Sequence, residues 1–174
     1  MKTTNLLLLL ALFSSLLWLS GCSDEAKNKL ENYNLIASEK NLPENFYEIA
    51  FQRKDTAHSP KYEYLVRKAD NESDFEDLWK LYNFKKHAPE LDFNDKSVFF
   101  IGVIESGSCP FKIEKVEPNS DNTNITIGLI GSEGLCTDDI SPRTFVIQMD
   151  KEKSKDVETV TIVENEAETS VPLD

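Results

Sequence analysis

The sequence predicts an α+β domain dominated by strands: an antiparallel sandwich or partly open barrel of about seven strands, with one helix packed on it. Three observations carry that prediction. Short runs rich in β-branched and aromatic residues recur at close spacing, separated by polar or glycine-containing turns. A single stretch beginning at Ser73 combines a capping signal with helical periodicity. No internal repeat is visible, which excludes a solenoid.

Residues 1–21 read as a segment removed on export. Lys2 supplies a positive start, Leu6 to Trp18 an apolar run, and Leu19-Ser20-Gly21 small or apolar residues before Cys22. The run is shorter than the roughly 18–20 apolar residues that a spanning helix needs. The closure Leu-Ser-Gly-Cys resembles the lipobox of bacterial lipoproteins. That resemblance implies that Cys22 is acylated with diacylglycerol and becomes the lipidated N-terminus. Two acyl chains anchor stably where one does not. The expected location is therefore the bacterial cell membrane, lipid-anchored and facing the extracytoplasmic side, where disulfides persist.

With the signal gone, 18 basic side chains face 31 acidic ones, a formal charge of −13. Such a surface argues against nucleic acid and against anionic headgroups as partners. Residues 22–45 are polar and charged and read as a tether from Cys22, closed by Pro43. A single β-rich domain is expected over 46–163, and an acidic, frayed tail over 164–174.

Within the domain, Phe46–Arg53 alternates Tyr47, Ile49 and Phe51 with more polar neighbours, a half-buried strand pattern. After a polar loop, Tyr62–Lys68 reads as its hairpin partner. Ser73-Asp74-Phe75-Glu76 forms a capping box. Phe75, Leu78, Trp79 and Tyr82 follow as one apolar stripe that would pack on the sheet. Val98–Ile104 is a continuous apolar run of strand length, read as a central strand covered on both faces; Gly102 inside it suggests a bulge or a close approach of another backbone. Ser106-Gly107-Ser108 turns the chain into the alternating run Phe111–Val116, so Ser97–Val116 is expected to be the central hairpin. Asn124–Ile130, Arg143–Met149 and Val157–Val163 complete the strands.

With Cys22 assigned to lipid, Cys109 and Cys136 have only each other, and a structural disulfide is expected. Neither lies in Cys-x-x-Cys, and no histidine is near either, which disfavours a reactive or metal-binding pair. The bridge would pin the Ser106–Ser108 turn to the loop after Gly134. Ser106, Gly107, Ser108, Asp138, Asp139 and Arg143 are accordingly the candidate binding surface.

No catalytic, cofactor or metal constellation is legible. His58 and His87 sit outside any ligand pattern, no Gly-x-Ser-x-Gly elbow occurs, and phosphate-loop and dinucleotide fingerprints are missing. Asp138-Asp139 is a lone adjacent pair without the glycine-spaced loop of a calcium site.

The segment from Phe93 to Val163 resembles the PrcB-like C-terminal domain family, found in bacterial lipoproteins and in a subunit of protease complexes. The likeness rests on Asp92-Phe93 before a strand, Gly102 within it, the turn Ser106-Gly107, the alternating Phe111, Ile113 and Val116, and Pro142 before a later strand. Ser108-Cys109-Pro110 stands where the family has a second glycine. The resemblance implies a β-rich, non-catalytic module. The expected function is a membrane-anchored binding or interaction module with an envelope protein partner and no enzymatic activity. The alternative is a protease regulator or inhibitor acting through turns at one end of the β domain.

Overall fold

A computed structural model describes residues 32–53, 63–132 and 134–173. The export segment and Cys22 lie outside them, as do most of the loop that contains His58 and the first part of the tether.

Among the described residues nine strands form two sheets, an open sandwich rather than a closed barrel. In chain order the strands are β1 (Asn34–Glu39), β2 (Phe51–Gln52), β3 (Glu63–Ala69), β4 (Lys96–Glu105), β5 (Lys112–Pro118), β6 (Asn124–Ile130), β7 (Ser141–Asp150), β8 (Thr159–Glu164) and β9 (Ala167–Pro172). Sheet one has the order β1-β7-β4-β3-β2 and sheet two the order β5-β6-β8-β9. Two helices accompany them, α1 (Phe46–Ile49) and α2 (Glu72–Leu81). All pairs are antiparallel except β6 with β8, which is parallel because β7 crosses to sheet one between them.

The long apolar run of β4 is explained by its two covered faces. Phe99, Ile101 and Val103 point into the layer between the sheets, with Tyr64 and Val66 of β3 and Phe145, Ile147 and Met149 of β7. Ile125, Ile127 and Leu129 of β6 and Val160 and Ile162 of β8 meet them from sheet two. The alternate residues Val98 and Phe100, with Leu65 and Val146, point the other way against Phe46, Phe75, Trp79, Tyr82 and Phe84. The period of two along β4 thus divides one strand between two cores.

The stripe of α2 packs as its spacing requires, with Phe75, Trp79 and Tyr82 buried. Trp79 stacks on Phe84 at 4.1 Å between centroids, and its Nε1 donates to the Lys86 carbonyl at 2.8 Å, so the indole is consumed by packing. The Tyr82 hydroxyl donates to the Leu65 carbonyl at 3.0 Å, and burial pushes its phenol far above the ordinary range. Gly102 sits beneath this contact. A Cβ there would lie 2.6 Å from Leu42 Cδ2 and 3.3 Å from Tyr82 Cε1, so the glycine makes room for side chains and marks neither a bulge nor an approaching backbone.

Several expectations are corrected. Phe46–Arg53 is not one strand: Phe46–Ile49 is a helical turn and only Phe51–Gln52 is extended. Phe46, not Tyr47, is the buried residue, and Ile49, three positions on, packs beside it in the same cluster. The stretch read as a tether contains β1, which pairs with β7 over Asn34–Glu39. The stretch read as a frayed tail contains β9, joined to β8 by a two-residue turn at Asn165 and Glu166, both at positive φ. The unit that folds together runs from Asn32 to Asp174.

The helix cap is Asn71, whose side chain accepts from the Asp74 backbone N–H at 3.0 Å, rather than Ser73. Most consequentially, β4 and β5 are not a hairpin. They belong to different sheets, and the Ser106–Phe111 segment is a corner between them. Two β runs flanking a small-residue turn look alike in sequence whether the turn reverses a strand or changes sheets.

Candidate functional site: a disulfide-locked corner

Both connections that cross between the sheets at the Glu105 end of β4 meet in one place. Ser106–Phe111 carries the chain from β4 to β5, and Gly131–Ile140 carries it back from β6 to β7. The Cys109–Cys136 disulfide joins the two, with Cα atoms 5.5 Å apart. Cys109 is buried at 6% exposure, while Cys136 is exposed.

Hydrogen bonds reinforce the bridge. The Thr137 backbone N–H donates to Ser108 Oγ at 2.9 Å, and Ser106 Oγ donates to the Thr137 carbonyl at 2.8 Å. Asp139 closes the network: its Oδ1 accepts from the Gly107 N–H at 3.0 Å and from the Thr137 hydroxyl. The Thr137 hydroxyl, and then the Gly107 amide, hold the Asp139 carboxyl below the usual carboxylate range. A Cβ at Gly107 would collide with the Asp139 carboxylate, so the glycine leaves room for that carboxylate against the turn.

The six expected surface residues therefore divide. Ser106, Gly107, Ser108 and Asp139 come together in one network. Asp138 is exposed beside it. Arg143 is a correction: it lies on β7 beneath the corner and is committed to Glu105. Its Nε and Nη2 donate to Glu105 Oε1 at 3.0 and 2.8 Å, and the Phe111 N–H donates to Oε2 at 2.7 Å. The Glu105 side chain has no solvent exposure and that of Arg143 only 13%. This buried pair braces the corner from inside, and neither partner is placed to receive a ligand.

Missed in the sequence were the apolar residues of the returning loop. Leu135 is 102% exposed and Ile140 73%, with Ile130 at 48% where β6 ends. Their signal was an apolar residue stranded among turn formers with no alternating partner, as in Gly134-Leu135-Cys136.

Chemically, the corner presents acceptors, hydroxyls and apolar side chains on a rigid frame. Its hydroxyls bond to one another, to backbone and to Asp139, with no imidazole among them to relay a proton. Among the described residues no group of three or more His, Cys, Asp or Glu is gathered for a metal ion.

A cavity of about 540 Å³ lies at the other end of the β4–β7 ladder, lined by Asn94, Asp95, Asp150, Lys151, Glu152, Lys153 and Lys155. Its charges are of both signs, and two of its lysines are bonded within the fold. Lys151 Nζ donates to the Asp70 and Phe93 carbonyls, and Lys153 Nζ to Asn32 Oδ1. It offers no field of one sign to a ligand. No family model, curated protein or solved structure shows significant similarity to the chain.

Proposed function

We propose that this chain is a bacterial lipoprotein, anchored through Cys22 on the extracytoplasmic side of the membrane, whose sandwich binds an envelope protein without catalysis. The observation that carries the binding half is the locked corner. A disulfide, an engaged carboxylate and a buried ion pair hold two loops still while leaving Ser108, Thr137, Asp138 and Leu135 in water. A surface that is rigid before contact loses little conformational entropy on binding. The Leu-Ser-Gly-Cys closure carries the anchoring half.

A protease regulator is the second reading, favoured by one feature. Leu135 stands in water immediately before a disulfide-fixed residue, a form suited to entering a cleft.

Anchoring is tested by labelling cells with an alkynyl fatty acid: the full chain takes up label and Cys22→Ala does not. Label on Cys22→Ala would overturn it. For the second reading, the full chain would be assayed against proteases of the same envelope. Inhibition that Leu135→Asp abolishes supports it, and undisturbed proteolysis at saturating concentration removes it.

A further inference from the structure

We infer that Leu135 and Ile140 are the anchor residues of the binding corner, and that their partner is a protein with an apolar pocket rimmed by Lys or Arg. The inference rests on the binding reading above and names the chemistry of its partner. Leu135 and Ile140 are large aliphatic side chains left 102% and 73% exposed, more than any other large apolar residue among those described. They stand on one of the two loops joined by the covalent cross-link, so their exposure is a presented feature, and a rigid aliphatic anchor filling a pocket is where interface energy concentrates.

The charge around them selects the occupant. Asp138 and Asp139 directly precede Ile140, and both are exposed. Asp139 is held ionised by the Thr137 hydroxyl and the Gly107 amide. An anionic lipid surface would repel these carboxylates as the aliphatic residues entered it. A second copy of the same corner would bring like charges together as its apolar residues met. A cation-rimmed protein pocket satisfies both the aliphatic tip and the carboxylates beside it.

The test places a photoreactive benzoylphenylalanine at position 135, at 138, or at Ser120 on the far turn between β5 and β6, in the full chain on its own membranes. The expected result is one discrete protein adduct from 135 and 138 and none from 120. Adding Leu135→Asp to the 138 probe should cut the adduct at least about tenfold, and raising salt to about 0.5 M should weaken it several-fold by screening the carboxylates. Leu135 is fully exposed, so an unchanged melting temperature for Leu135→Asp separates lost binding from lost fold.

An adduct from 138 that survives Leu135→Asp overturns the anchor assignment and keeps the binding corner. No adduct from either position overturns both. Adducts from 135 with lipid, sedimentation of the full chain with phosphatidylethanolamine–phosphatidylglycerol vesicles through Leu135, or adducts with a second copy overturn the protein pocket.

Discussion

The two ends of the β4–β7 ladder are built on opposite principles. At the Glu105–Ser141 end, one ion pair is withdrawn from water, while aliphatic side chains are put into it beside Asp138 and Asp139. The Glu105 side chain is fully buried against Arg143, and Glu164 at the end of β8 is half-buried and accepts from the Tyr64 hydroxyl at 2.7 Å. At the Lys96–Asp150 end, charges stay at the surface and pair with one another or with carbonyl groups. The first arrangement stores its stability in a few costly, mutually dependent contacts. The second spreads it over cheap and replaceable ones. Rigidity at one end and tolerance at the other follow.

The largest effect is expected from Glu105→Ala. It leaves the Arg143 guanidinium and the Phe111 amide without their buried partner, and should cost about 3–5 kcal/mol in urea unfolding. A cost below about 1 kcal/mol would show that water replaces the carboxylate and that the corner is not braced from within.

Removing the covalent lock ranks next. Cys109→Ala with Cys136→Ala opens a loop with a sequence separation of 27 and should lower stability by about 3–4 kcal/mol. Hydrogen exchange should rise at Thr137, whose amide is bonded to Ser108, and stay unchanged at Lys151, whose amide is bonded to Asp95 at the far end.

Gly107→Ala drives a methyl into the Asp139 carboxylate and breaks the Gly107–Asp139 hydrogen bond. A loss of about 1–3 kcal/mol is expected, with the Asp139 carboxyl moving back toward its ordinary value by NMR titration.

Acidity separates the carboxylates further. Burial raises the Glu164 pKa above the unfolded value of 4.5, so Glu164 favours the fold while protonated. Stability from this group is present below pH 4.5 and is lost as pH rises through the folded pKa. Asp139 runs the other way. Its contribution is present above 3.8 and is lost as pH falls through its depressed folded value. Glu164→Gln should flatten the decline above pH 4.5 and leave the acid limb of Asp139 in place. An unaltered profile would mean that Glu164 is as well solvated folded as unfolded.

The smallest effect belongs to Lys96→Ala. It removes a surface ion pair with Asp150 and should shift the urea midpoint no further than added salt shifts the wild type.

What the sequence made legible follows from where its signals act. Asn124–Ile130 is a strand residue for residue, and β3, β4, β5, β7 and β8 fall within a few residues of expectation. Each buries apolar side chains in a period that local sequence records. The edge strands escaped notice. β1 has a polar-flanked, bulged pattern and owes its extension to β7, with Asn34 opposite Gln148. β9 depends on a turn whose second residue is Glu166 at φ 67°, where glycine or asparagine would have announced it.

Pairing was equally hidden, because the turn after β4 carries nothing that distinguishes a reversal from a change of sheet. At the corner, the cysteines and the hydroxyl residues were visible as residue types. The burial of Arg143 against Glu105 and the exposure of Leu135 were not, since both are decided by tertiary neighbours.

The first strand also fixes how the domain meets force. Tension arriving along the chain ahead of Asn32 would load the Asn32 side-chain bonds to the Val116 carbonyl and Lys153, then the packing of Tyr33, and then the β1–β7 ladder, which is interrupted by a bulge between Leu35 and Ala37. β1 would then be the first strand to yield. Peeled from β7, it would lengthen the chain ahead of the sandwich while the cross-linked corner, whose disulfide lies outside β1, kept its covalent closure.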